Sequence, residues 1–225
     1  MTRPTLAAVL LALAGGCSFD AGGSGRPGDG GPLTDGPALT PDAPPPGPFL
    51  TGSRTPLAAT RVNLGADGPS DWIHLAFADK DDVDRKLSGG LQLTFSVLGG
   101  GEKRVTQAIT FVWDDGTPRR SGESNSALAV DVFGRGITIL APAGPDPRRL
   151  RIYVAGENAG GRLRATLSGA AVPEYIDDMF GGTSFTGMYE LNYRGSEGQL
   201  VTATFTLAAD LPGGSNVSVS SVTLQ

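Results

Sequence analysis

Gln199–Leu207 reads QLVTATFTL, with Val201, Ala203, Phe205 and Leu207 on one parity and Thr202, Thr204 and Thr206 on the other. A side-chain period of two is that of a β-strand with one buried and one wet face. The same alternation recurs upstream. In Arg149–Ala155, RLRIYVA, Leu150, Ile152 and Val154 oppose Arg149, Arg151 and Tyr153. In Gly161–Ser168, GRLRATLS, Leu163, Ala165 and Leu167 oppose Arg162, Arg164 and Thr166. In LQLTFSV, Leu91, Leu93, Phe95 and Val97 share a face. About ten or eleven such runs follow Thr55, punctuated by Gly, Pro, Asp and Asn, the spacing of a sandwich. Strands with one polar face imply two sheets packed face to face. The fold expected is all-β, a jelly-roll-like β-sandwich. No helical stripe follows Cys17; Pro173–Phe180, PEYIDDMF, suits one helical turn in a loop. Val217 and Val219 share a parity that Val222 and Leu224 do not, and this phase slip predicts a β-bulge at Ser220–Ser221.

The N-terminal quarter is built differently. Arg3 precedes the apolar run Leu6–Ala14, LAAVLLALA, and small residues follow it. A run this short is a secretory signal rather than a spanning helix, which needs about 20 apolar residues. It ends at Cys17, the one cysteine of the chain. The segment LAGGC resembles the lipobox of bacterial lipoproteins. That resemblance implies acylation of Cys17 and a membrane anchor worth about 0.8 kcal/mol per buried CH2. Ser18 stands where an Asp favours inner-membrane retention in enterobacterial lipoproteins, so the resemblance implies the outer membrane. The stretch after it, AGGSGRPGDGGPLTDGPALTPDAPPPGP, holds much of the chain's 34 Gly and 17 Pro. It has too little apolar surface to offset ordering entropy and reads as a tether. The expected organisation is a signal peptide over 1–16, a lipidated cysteine and disordered tether over 17–54, and the sandwich over 55–225.

DWIHLAF at Asp71–Phe77, DRK at Asp84–Lys86, FVWDDGTP at Phe111–Pro118, RRLRIYVAG and RLRATLSG occur in that order. Together they resemble a recurrent accessory module of secreted bacterial proteins, some of them polysaccharide-associated. The resemblance implies the fold and an exported location, and no agreed ligand.

A net charge of −5 argues against broad nucleic-acid binding, which needs cations to neutralise phosphates. His74 is the only histidine, so any Ser–His–Asp reading must pass through it. It lies in a strand apolar on both faces, the setting of a buried, hydrogen-bonded ring. Asp79, Asp81, Asp82 and Asp84 form an acidic stretch and a weak calcium candidate, with neither the spacing nor the closing Glu of an EF-hand loop. No other cofactor is expected. Asp71, Asp114, Asp115, Glu174, Asp177 and Asp178 offer carboxylates for hydrolysis, but no motif singles out a pair. Asp115-Gly116 reads as a turn in which Gly supplies a positive φ. Trp72, Trp113, Tyr153 and Tyr175 are candidates for sugar stacking; parity places Tyr153 outward, and the two tryptophans read as core with each indole N–H finding a partner. Arg149, Arg151, Arg162 and Arg164 fall on the non-core face of two strands joined by AGENAGG, read as a hairpin. Facing like charges destabilise a ladder, so either carboxylates intervene or the patch serves an anionic ligand. These residues point to a non-enzymatic, lipid-anchored binding module for polysaccharide or another anionic envelope component. The alternatives are an assembly lipoprotein that binds a partner protein and, behind it, a carbohydrate-active hydrolase.

Overall fold

The computed structural model describes residues 47–58, 60–90, 92–180 and 183–225. The chain divides into two units, Met1–Pro44 and Pro45–Gln225, and the described residues belong to the second. The expected signal peptide, Cys17 and nearly all of the expected tether lie outside them.

The elements, in chain order, are β1 (Phe49–Pro56), β2 (Arg61–Asn63), the one-turn helix α1 (Leu64–Asp67), β3 (Asp71–Leu75), β4 (Val83–Lys86), β5 (Thr94–Leu98), β6 (Glu102–Trp113), β7 (Gly116–Thr117), β8 (Gly122–Val130), β9 (Gly136–Pro142), β10 (Arg148–Glu157), β11 (Ala159–Leu167), β12 (Tyr175–Phe180), β13 (Ser184–Arg194), β14 (Leu200–Asp210) and β15 (Asn216–Leu224). They form a β-sandwich. The smaller sheet runs β12-β11-β14-β9-β5, antiparallel throughout. The larger runs β1-β13-β10-β15 and then forks. From β9 to β15 the chain crosses between the sheets at nearly every step, as a jelly roll does.

The fork sits where the phase slip falls. Tyr153 pairs with Ser221 but Val154 pairs with Val219, so Ser220 is the extra residue of a bulge. Beyond it, Ser221–Leu224 pair with β3, which leads to β4 and β7. Before it, Val217–Val219 pair with β8, which leads to β6 and β2. The bulge also turns Val217, Val219, Val222 and Leu224 all toward the core, where each is fully buried. The inward residues read from Arg149–Ala155, Gly161–Ser168 and Gln199–Leu207 are buried beside them. At about 1.5–3 kcal/mol per fully buried large aliphatic or Phe side chain, this inter-sheet core is the main source of stability.

The larger sheet also has a cover on its outer face. The second half of β6, with β2 and α1, brings Leu64, Ile109, Phe111 and Trp113 against Trp72 and Tyr153. β15 is therefore buried on both faces, and its outward residues are small: Ser218, Ser220, Ser221 and Thr223. Small polar side chains leave room for the aromatic cluster above them and bond locally, as Ser220 does to the Tyr153 carbonyl.

Several expectations are corrected. The folded unit begins at Phe49 rather than 55, because β1 pairs with β13 along its length; its polar GSRTP half belongs to an edge strand. PEYIDDMF supplies edge strand β12, not a helical turn. Gly116 does not take a positive φ. It is Gly because a Cβ would meet the Arg119 carbonyl at 2.5 Å and Trp113 Cδ1 at 2.6 Å. AGENAGG is not a hairpin turn: it carries the chain from β10 in the larger sheet to β11 in the smaller one.

Candidate functional site

The cover over the larger sheet stops short of one end, and a groove of about 290 Å3 opens there. Its floor is the outward face of three strands. Glu157 of β10 is flanked by its register partners Ser184 of β13 and Asn216 of β15. Two residues along on the same face, Ala155 lies between Thr186 and Ser218. The small Ala155 makes the depth. Phe185 and Gly156 have the opposite parity, and Phe185 packs inward on Phe205 with ring centroids 6.5 Å apart.

The wall is a break in β6. Its register against β8 shifts between Thr106 and Phe111, so Gln107–Thr110 face Asn125 alone. Bulges of this kind re-aim side chains and cluster beside functional sites. Here the bulge turns Gln107 toward the sheet, where its Nε2 donates to Ser218 Oγ at 2.8 Å. Asn125 Nδ2 holds the Gln107 carbonyl at 3.3 Å. Gln107 Oε1 is left without a hydrogen-bond partner, the one buried side-chain oxygen or nitrogen so placed among the described residues. An unsatisfied buried acceptor costs about 1–3 kcal/mol and calls for an explanation. Asn216 Nδ2 donates to Glu157 Oε2 at 3.4 Å. The groove thus offers hydroxyls, amides and one carboxylate. The chain enters at the other end of the sheet, where Phe49 pairs with Arg194 while Pro56 pairs with Gly187.

The four arginines are not brought together. Arg149 and Arg151 lie on the larger sheet, Arg162 and Arg164 on the smaller, whose outward faces point away from each other. All four have carboxylate neighbours. Arg162 Nε donates to Asp178 at 2.6 Å and Arg164 Nε to Glu174 at 2.5 Å. Arg151 bonds Glu190 at 2.9 Å and also pairs with Asp67. Arg149 Nη1 is 3.9 Å from Glu190. Of the two explanations the sequence left open, intervening carboxylates are the one realised.

Tyr153 does point outward, but the cover buries it to 3% exposure. Its hydroxyl donates to Asp67 Oδ2 at 2.8 Å. Burial and the facing carboxylate push that hydroxyl's pKa up. α1 exists to place Asp67: Asn63 Oδ1 caps the turn at the Ala66 N–H, 3.1 Å away, and Asp67 then also accepts from Thr223 at 2.7 Å. Tyr175 lies flat against Gly52, where a Cβ would meet the ring at 2.7 Å. Neither tyrosine is a free platform.

The acidic stretch is consumed locally. Asp79 accepts the Asp81 N–H at 2.9 Å and Asp81 pairs with Lys80 at 2.7 Å. Asp82 and Asp84 hold Arg119 at 2.5 and 2.9 Å. The Arg119 bonds pull Asp82 down in pKa, whereas burial lifts Asp84. Among the described residues no group of three or more metal-ligating side chains converges.

His74 is fully buried. Nδ1 lies 2.8 Å from Ser221 Oγ and Nε2 3.1 Å from Ser126 Oγ. Burial, with help from the Arg119 charge, lowers its pKa to about 3. An uncharged, enclosed imidazole is out of reach of an external substrate. Three of the quoted motifs, DWIHLAF, DRK and FVWDDGTP, meet around it. Trp72 Nε1 donates to Asp115 at 3.0 Å, Lys86 pairs with Asp115, and Trp113 Nε1 donates to the Arg119 carbonyl at 3.1 Å. Asp71 accepts from the Trp72 and Leu93 amides, each at 2.9 Å. These residues clamp β3, β4 and β7 together. Of the carboxylates weighed for hydrolysis, Asp115, Glu174 and Asp178 are engaged as above. Asp177 pairs with Arg54 and accepts from Tyr189.

Sequence reasoning did not find the groove. Its residues belong to four strands, and the deciding step, the β6 bulge, leaves the odd parity of Ile109, Phe111 and Trp113 undisturbed. The signal available was Gln107, a polar residue between Val105 and Ile109 on that parity.

No family model matches the chain, and no curated protein matches it. Among solved structures it is similar to a carbohydrate-binding module, TmCBM61, in complex with β-1,4-galactotriose. That likeness has 13% identity, a TM-score of 0.36, and covers 60% of this chain and 88% of the other. It is also similar to the enzymatically active domain of bacteriophage CBA120 tailspike protein 4. There the identity is 11% and the TM-score 0.37, and 60% of this chain spans 20% of that one.

Proposed function

We propose that the sandwich is a glycan-binding module of the bacterial cell envelope, carried on a lipid anchor at Cys17. The observation that carries the reading is the polar groove, with the unpartnered Gln107 Oε1 buried just beneath its surface, an acceptor that a rotation of the side chain would present to a ligand hydroxyl. Ser184, Thr106 and Thr186 add hydroxyls, and Asn216 an amide, at the spacing of adjacent strands. At about 290 Å3 the groove falls at the low end of small-molecule sites, the size for one or two sugar rings. It opens at the end of the sheet remote from the Phe49–Arg194 pair. The paired arginines leave an anionic ligand with little to hold it, and the ligand is accordingly not recognised through them.

Glycan-array screening of the full chain, followed by calorimetry with a bound oligosaccharide, tests this. Ser184→Trp, which fills the groove from an exposed position, and Gln107→Leu are expected to weaken binding at least tenfold with the circular dichroism spectrum retained. Binding that survives both would overturn the assignment. Mass spectrometry of the mature N-terminus tests the anchor; an unmodified Cys17 would remove it.

A second reading has its own observation. Leu98, Val132 and Phe133 are exposed at the groove's end of the domain, Phe133 to 63%. An assembly lipoprotein would use such an apolar tip against a partner protein. Co-purification from membranes that is lost on Phe133→Ser, with glycan binding intact, would favour it.

A further inference from the structure

The groove's charge is as informative as its shape. Glu157 is the one formally charged side chain among its lining residues, and no Lys or Arg lines it. Of the two cations on β6, Lys103 is occupied by Asp131 at 3.1 Å. Arg104, next to it, donates to the Ala76 and Phe77 carbonyls at 3.1 and 3.0 Å. Among the described residues the Glu157 carboxylate has one hydrogen bond, from Asn216 Nδ2 at 3.4 Å, and the residue is exposed. Below it waits the Gln107 acceptor. A site with a carboxylate, an unpaired amide oxygen enclosed just beneath its surface and no fixed cation repels carboxylate and sulfate groups. It rewards ligands that bring N–H and O–H donors, most of all charged ones, because charge-assisted hydrogen bonds are roughly twice as strong as neutral ones.

We infer that the groove selects glycans bearing free amino groups, with the sugar ammonium on the exposed Glu157 and a neighbouring hydroxyl reaching Gln107 Oε1 only once that side chain turns out from beneath the groove surface. The inference rests on the glycan-binding reading and narrows it from any glycan to a cationic one. It reverses the expectation of an anionic ligand. The selection is electrostatic and local, so it weakens with salt as exposed charge pairs do.

The test is calorimetry of the full chain near pH 6, where sugar amines carry charge. Three probes share a backbone length: glucosamine tetramer, its fully N-acetylated counterpart and galacturonic acid tetramer. The glucosamine oligomer is expected to bind about tenfold tighter than the acetylated one, about 1.4 kcal/mol. The galacturonate is expected not to bind. Glu157→Gln, a substitution at an exposed position, should bring the two glucosamine forms to equal affinity without abolishing either. Equal binding of the amino and acetylated oligomers to the wild-type chain, or a preference that persists in Glu157→Gln, would overturn the selectivity while leaving a glycan site in place. Failure of every probe, here and on the array, would remove the glycan reading with it.

Discussion

Between pH 8 and pH 5, acidification should destabilise this domain chiefly through one residue. His74 is the only histidine of the chain, is fully buried, and has its pKa lowered to about 3. In the unfolded chain it titrates near 6.5. Between those values the unfolded state binds a proton that the folded state refuses, so stability is complete above about pH 6.5 and is lost as pH falls. The folded-state value lies well below 5, so the loss at pH 5 is set by the unfolded chain, and the linkage integral from pH 8 to pH 5 gives about 2 kcal/mol. Asp71 and Asp84, whose carboxyls burial lifts, act with the opposite sign and favour the folded state as pH falls. Asp82, held down by Arg119, sides with His74, at lower pH. A substitution separates these contributions. Urea unfolding of the wild type and of His74→Gln, each at pH 5, 6, 7 and 8, gives two slopes whose difference belongs to the histidine. The variant is expected to be less stable at pH 8, since Ser221 and Ser126 lose well-placed partners. Its stability should then fall about 2 kcal/mol less than that of the wild type on going to pH 5. Parallel slopes in the two proteins would refute the reasoning, whatever their offset.

Asp67→Ala should destabilise by about 2–3 kcal/mol in urea titration, because it strips Tyr153 and Thr223 hydroxyls and Arg151 of one shared, half-buried partner. Gly122→Ala should cost about 1–3 kcal/mol of overpacking, since its Cβ would lie 2.3 Å from Trp113 Cζ2; tryptophan fluorescence should report a displaced ring. Leu163→Ala, in the inter-sheet core, should cost about 2–5 kcal/mol, measured by urea titration, without altering oligosaccharide affinity. The double substitution Arg162→Ala, Arg164→Ala should leave retention on a sulfated resin unchanged, because Asp178 and Glu174 already engage both guanidiniums.

The sandwich was legible because parity is a local property. Leu150, Ile152, Val154, Leu163, Ala165, Leu167, Val201, Phe205 and Leu207 all face the core as their alternation requires. The Ser220 bulge was legible for the same reason: one extra residue shifts the phase of everything after it. Strand β1 was not, since an edge strand bonded on one side needs little apolar content, and FLTGSRTP has only Phe49 and Leu50 of large apolar type. Strand β12 failed likewise. Its carboxylates Asp177 and Asp178 read as a loop, although Asp178 serves Arg162 on the identified strand β11, while Asp177 serves Arg54 on the missed strand β1.

The site was illegible for a different reason. Parity tells which side of a sheet a residue is on, not what that side meets. Arg149, Arg151 and Tyr153 are outward on β10, yet Tyr153 lies under Phe111, ring centroids 5.1 Å apart, while Ala155 and Glu157 further along the same row lie beneath no aromatic cover. The outward face of one strand therefore passes from aromatic core to ligand groove within a few residues. The boundary is set by where β6 departs from its ladder with β8. If that departure makes the groove, shortening it should close the site without unfolding the sandwich. Deleting Ala108, together with a residue of the mismatch at Ile109 or Thr110, would draw Gln107 back toward Asn125. It would also move Ile109 in the aromatic cluster, so the cleaner perturbation is Asn125→Ala. It removes the 3.3 Å bond that holds the Gln107 carbonyl and nothing else from the wall. Oligosaccharide affinity is expected to fall several-fold in that variant, with urea stability changed by no more than about 1 kcal/mol. An unchanged affinity would mean that the bulge does not position the groove's acceptor.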